Sequence, residues 1–244
     1  MARSRPRPDV EVERRLTSGG VRWIAGCDEV GRGALGGPVT VGLALVDMAA
    51  LSPPPEGLAD SKLLSARRRE ALVPLIEPWV AYWAVGHATA AEIDERGLTA
   101  ALRLAGLRAL ADLGRTPDLV LLDGRHDWLT SPAQVGWLDT DGTAGTPPVV
   151  TEVGADRRCA TVAAASVLAK VERDRLMVHL AHEFPSYRWD VNKGYGSPAH
   201  IEALVQWGPC REHRRSWRLP ERHVSDDTRG TSGPPAAGTG RLGP

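Results

Sequence analysis

The sequence predicts an α/β domain, and three observations carry that expectation. Residues 23 to 46 read as two strands joined by a glycine-rich turn, and residues 117 to 124 form a short apolar run of the kind buried on both faces of a sheet. Long helical patterns over 90 to 113 and 161 to 182 carry small residues that let a helix lie close to a sheet. A chain of 244 residues, 42% hydrophobic, is long enough for one well-buried domain.

Taken in order, residues 1 to 20 mix arginine, proline and acids without periodicity and are expected to be disordered. Trp23, Ile24 and Ala25 suit a buried strand, and Gly31 and Gly33 then free the backbone. Asp28 and Glu29 therefore sit at a strand end, pointing to opposite faces unless the chain twists there. Gly31, Gly33 and Gly36 satisfy the dinucleotide fingerprint G-x-G-x-x-G, but that motif must open a helix. Pro38 to Val46 is β-branched and strand-like instead, so the nicotinamide reading falls.

Residues 51 to 57 are a loop by their prolines, and Ser65 is a good N-cap for a helix bearing Leu72, Leu75 and Ile76. Lys62 precedes that helix, either solvent-facing or placed to meet a phosphate. Val80 to Thr89 reads as a third strand and Ala90 to Leu113 as a long helix. The apolar run ends in Asp123, a setting like that of Asp28, and two carboxylates at adjacent strand ends can share an ion. Residues 125 to 148 look like a surface excursion, followed by a strand at Val149 to Val153.

On the helix over 161 to 182, Ser166, Lys170 and Asp174 recur every four residues on one stripe. Such a pair is commonly a surface ion pair, whereas a stripe that begins with small residues and faces inward would need a partner for its carboxylate, a metal ion being one. Tyr195 lies between two glycines ahead of a helix with Ser197 as N-cap and Pro198 at its first position. It is placed either to stack on a sugar or base or to be half-buried in the ordinary way. His213 to Trp217 adds local positive charge, and residues 220 to 244 are expected to be a disordered tail.

Formal net charge is zero, so any nucleic-acid contact must come from a local patch. Three widely spaced cysteines, Cys27, Cys159 and Cys210, argue against a disulfide framework or structural zinc. With neither a signal peptide nor a membrane span in the sequence, a soluble, cytoplasmic protein is expected, and separately a monomer.

Collected, Asp28, Glu29, Asp123 and Asp174 are acids of the type that hold Mg²⁺ or Mn²⁺, but composition does not join them. What joins them is a resemblance to ribonuclease HII, the type 2 ribonuclease H. It rests on Asp28-Glu29-Val30-Gly31-Arg32-Gly33, Asp60-Ser61-Lys62, Asp123-Gly124, the run from Ala163 to Val171 with Arg173-Asp174, Asn192 to Gly196, and His213 to Ser216. These blocks stand in the family's order across residues 23 to 217.

The resemblance implies a ribonuclease H-like mixed β-sheet flanked by helices, over residues 21 to 219, with a helical C-terminal part that helps grip a duplex. It implies Asp28, Glu29, Asp123 and Asp174 as ligands of two divalent ions, Mg²⁺ or Mn²⁺. The implied substrates are RNA/DNA hybrid and duplex DNA with embedded ribonucleotides, cut on the 5′ side of the ribonucleotide. Gly31, Arg32, Gly33 and Tyr195 would read the 2′-hydroxyl, and Lys62, Ser166, Lys170 and Lys193 would complete the substrate-binding set. The competing expectation, a nucleic-acid-binding module without catalysis, predicts binding with no Mg²⁺-dependent cut.

Overall fold

A computed structural model describes residues 7–130 and 146–220. Most of the 125 to 148 excursion and nearly all of the tail expected from residue 220 lie outside the described residues. The run Trp23–Val30, buried on both faces over most of its length, forms β1, which the glycine turn returns antiparallel into β2 (Val39–Asp47). β3 (Tyr82–Ala88) extends the antiparallel side, while β4 (Leu119–Asp123) and β5 (Val149–Glu152) run parallel to β1 on the other. The sheet order is β3-β2-β1-β4-β5, so the acid-bearing strands β1 and β4 are central neighbours.

Helices close both faces. On one lie α3 (Ala90–Arg96) and α4 (Leu98–Asp112), with Ala101, Leu102, Ala105 and Ala109 packed on Cys27, Leu43 and Leu122. The single helix expected over 90 to 113 breaks at Gly97, whose φ of +78° favours glycine. On the other face α5 (Ala160–Glu183) lies across β1 and β2 through Ala160, Ala163, Ala164 and Ala165, with α2 (Ala66–Ile76) packed beside it. Contact is close because β1 offers a glycine there: a Cβ on Gly26 would come within 2.2 Å of the Thr161 carbonyl carbon.

Residues 7 to 20, expected to be disordered, are not. They pair Asp9 with Cys159 and form α1 (Glu11–Leu16). Glu13 on that helix is wholly buried, and its Oε1 accepts the backbone N–H and the hydroxyl of Thr161, 3.0 and 2.8 Å away. The carboxylate thereby caps the first turn of α5 from a distant part of the chain. Beyond α5, α6 (Trp189–Asn192) and α7 (Pro198–Trp207) form the helical C-terminal part around Met177, Tyr187, Trp189 and Leu204. Among the described residues, no helix is long and apolar enough to cross a membrane.

Substituting Gly26→Ala should lower the melting temperature by roughly 3–10 °C, because the added methyl meets helix backbone. Unchanged melting would show that α5 can shift outward freely.

Candidate active site

β1 and β4 are in parallel register up to Cys27 beside Leu122, so the next position sets Asp28 next to Asp123 on the same face. Neighbouring strands are about 4.8 Å apart, which brings the two carboxylates into mutual range. Asp28 is only 3% exposed, and its Oδ1 accepts the Glu29 N–H at 2.8 Å. Burial raises its pKa from the ordinary 3.8 to about 7, helped by the charges of Glu29 and Asp123 and opposed by the Ser166 hydroxyl and Lys62. Burial likewise pushes Glu29 up against the pull of Arg32, which bonds Glu29 Oε1 at 3.3 Å.

Asp123 Oδ1 accepts the Ala155 N–H at 2.7 Å, which draws the following turn over the strand end. That turn carries Asp156, an acid outside the set of four expected from the sequence. Asp156 is buried, its pKa is raised by burial and then by the charge of Asp123, and its Oδ2 lies 3.3 Å from Lys62 Nζ. Lys62 loses hydration there, yet Asp28, Asp156 and Asp60 outweigh that loss and hold its pKa above the ordinary value. Asp60 itself caps the short 3₁₀ turn Ser61–Leu63, its Oδ1 accepting the Lys62 N–H.

Asp174, the fourth ligand implied by the resemblance, stands apart from this corner. Ser166 is the residue of α5 that meets Asp28, and Asp174 lies eight residues on, about 12 Å along the helix axis. Its carboxylate is instead held by Lys170 at 2.5 Å and Arg69 at 3.3 Å. It lines a groove of about 320 Å³ with Arg69, Glu70, Arg175 and Lys193. Ser166 also departs from its expected substrate-facing place: it is 2% exposed and shares a 2.8 Å hydrogen bond with Ser61.

The Gly31-Arg32-Gly33 turn and the Tyr195 loop are brought together. The N–H groups of Leu35 and Gly36 donate to the Gly194 carbonyl at 2.8 and 3.2 Å, and a Cβ on Gly194 would lie 2.4 Å from the Gly36 carbonyl oxygen. Two buried arginines hold this junction. Arg173 donates to the carbonyls of Pro38, Gly36 and Lys193, and Arg214 to those of Gly31, Arg32 and Gly37. Burial, then the nearby Arg173 charge, pulls the Arg214 pKa down to about 9. Arg214 is therefore an internal brace, not part of the local positive charge expected of His213 to Trp217.

Tyr195 is 36% exposed, with Lys170 Nζ 5.9 Å and the Arg173 guanidinium 5.5 Å from its ring centroid. Lys193 turns its ammonium onto the Asp190 carbonyl. Gly33 faces open space, and Arg32 is exposed apart from its contact with Glu29.

Residues 25–219 match the family model for ribonuclease HII. The chain belongs to the ribonuclease HII family. It is thus one of the ribonucleases H, metal-dependent endonucleases acting on RNA in RNA/DNA hybrids. Ribonuclease HII of Streptomyces avermitilis is 47% identical over 211 residues, covering 86% of this chain and 83% of that protein. Ribonuclease HII of Paracoccus denitrificans is 46% identical over 210 residues, covering 86% and 91%. Among solved structures, ribonuclease H2 of Pyrococcus horikoshii superposes with a TM-score of 0.63 at 29% identity, covering 80% of this chain and 94% of that one. The ribonuclease HII in the PCNA complex from Archaeoglobus fulgidus gives 0.60 at 26% identity, covering 85% and 98%.

For a ribonuclease HII the question is whether this corner fits divalent ions. Among the described residues, no three His, Cys, Asp or Glu side chains stand as a ready chelating group. Their oxygens turn to backbone amides, Lys62 and Arg32. Glu29 Oε2, however, is buried without a hydrogen-bond partner among the described residues, and the crowded acids gain from any added positive charge. The donor set is all oxygen, as hard cations require, so the residues fit.

In chelator-treated protein the Asp28 charge costs stability above pH 7, and that cost fades as pH falls toward the unfolded value of 3.8. Asp28→Asn should therefore melt higher than the unaltered protein at pH 8, the gap narrowing as pH is lowered toward 4. A variant that melts lower at pH 8 would contradict the burial of this charge.

Proposed function

We propose that Asp28, Glu29, Asp123 and Asp156 hold two divalent cations, Mg²⁺ or Mn²⁺, and that the chain hydrolyses the phosphodiester on the 5′ side of a ribonucleotide, leaving 5′-phosphate and 3′-hydroxyl ends. The observation that carries this reading is the placing of Asp28 beside Asp123 on adjacent parallel strands, with the partnerless Glu29 Oε2 next to them. When bound, the ions supply an activated water and stabilise the leaving oxygen. Asp156 replaces Asp174 as the fourth acid because it shares Lys62 and the Asp123 field with Asp28.

The substrates are RNA/DNA hybrid and duplex DNA carrying single ribonucleotides, met by one monomer. Arg32 and the backbone of Gly31 and Gly33 present donors to the 2′-hydroxyl, the one group that separates RNA from DNA at a site. Tyr195, fixed against that turn by Gly194, offers its ring face to the neighbouring sugar. Exposed Lys62 and half-exposed Lys193 meet backbone phosphates, which position the duplex without reading its sequence. Asp174 keeps Lys170 beside the Tyr195 ring and ties α5 to Arg69 of α2, a supporting task.

On a DNA duplex with one ribonucleotide, Asp28→Asn and Asp156→Asn should each lower Mg²⁺-dependent cleavage by at least about 100-fold, and Asp174→Asn by no more than about tenfold. The opposite ranking would restore Asp174 to the metal site, and retained cleavage in Asp28→Asn would refute the role of Asp28 as a metal ligand. Tyr195→Ala should weaken cleavage at single ribonucleotides more than duplex affinity; equal losses would count against sugar reading. Duplex affinity should fall steadily with added salt as phosphate contacts release counterions, and a flat dependence would contradict the grip.

A further inference from the structure

A buried chain of three side chains ends on the backbone of Tyr195 and takes no part in the site described so far. The Cys210 N–H points at His213 Nδ1 at 3.0 Å, and because an amide can only donate, that nitrogen is the acceptor. Neutral His213 then carries its proton on Nε2, which lies 3.0 Å from His200 Nε2 and donates to it. The Trp189 indole N–H, also donor only, points at the same His200 nitrogen at 3.2 Å. His200 Nε2 is therefore an acceptor, and its proton sits on Nδ1, 2.9 Å from the Tyr195 carbonyl oxygen. Each step fixes the next, so one pair of tautomers satisfies the whole chain.

The surroundings hold both rings neutral. His200 and His213 are 0% and 1% exposed, enclosed by Tyr187 and Trp189 with ring centroids 4.5 to 6.1 Å apart. Burial lowers both pKa values, that of His213 to about 3 with the help of His200. The Cys210 thiol, 3.2 Å from His213 Nδ1, is pushed up to about 11 by burial and stays protonated. The Tyr195 carbonyl receives one more donor, the Ser197 N–H at 2.8 Å, so the two bonds set the peptide plane that aims the Tyr195 ring.

We infer that His200 and His213 are positioning residues for Tyr195, setting the angle at which its ring meets the sugar and hence the rate of cleavage at a single ribonucleotide. The inference rests on the sugar-reading role proposed for Tyr195. Neither histidine touches substrate; both act through that one carbonyl.

The test is a double-mutant cycle on the full chain, read as cleavage of a DNA duplex with one ribonucleotide. His200→Leu removes the donor and should cost about tenfold, the worth of one hydrogen bond, while His200→Asn keeps an N–H near the Nδ1 position and should restore most of the loss. In a Tyr195→Ala background His200→Leu should cost nothing further. Losses that add in the double variant, or an Asn variant no better than Leu, would overturn the inference. Should His200→Leu fail to show a cooperative melt, His213→Leu and His213→Gln carry the same comparison, since glutamine keeps the donor that faces His200. Tyr195→Ala alone is measured alongside on the same duplex: cleavage equal to that of the unaltered chain would sink the sugar-reading role itself, whereas a loss in Tyr195→Ala with an additive cycle would sink this inference alone.

Discussion

Two carboxylates on neighbouring parallel strands repel each other, and the repulsion grows when one of them, Asp28, is nearly out of water. The protein keeps them together by packing. α5 lies so close to β1 that no side chain fits at Gly26, and that closeness puts Ser166 against Asp28. Asp123 then gathers the turn before α5 through the Ala155 N–H, which delivers Asp156. Lys62 and Arg32 offset part of the accumulated charge from either side. An acid corner assembled under such strain favours binding of small, hard cations.

The recognition half is built on a different principle. In the glycine turn and the Tyr195 loop, buried guanidinium groups bind the backbone carbonyls directly. Arg173 and Arg214 together accept the burial cost of two cations in exchange for fixing six backbone carbonyls around the turn. A turn held in this way meets a sugar with little left to order, which is how rigid sites discriminate between ligands that differ by one hydroxyl.

The β-hairpin, both long helical regions and the Ser65 and Ser197 caps were legible because each depends on near neighbours in the chain. The helix α1 was not, since its short polar sequence has no periodicity and its anchor, Glu13, works on Thr161, 148 positions away. Asp28 and Asp123 could be read as strand-end acids. Asp156 had a similar signal, following β5 after a short Gly-Ala step, but it lay in a turn without pattern. Asp174 misled because a shared helical stripe fixes a direction and not a depth: two further turns carry a side chain well past the corner that Ser166 touches. The buried role of Arg214 was hidden too, because a run of basic residues reads the same whether its members face solvent or backbone carbonyls.

Cleavage depends on which carboxylates gather the ions. Anomalous diffraction from crystals grown with Mn²⁺ measures this directly. The expected map has its peaks among Asp28, Glu29, Asp123 and Asp156, with Lys62 displaced from Asp156. Peaks beside Asp174, or none within coordination distance of Asp28, would contradict it.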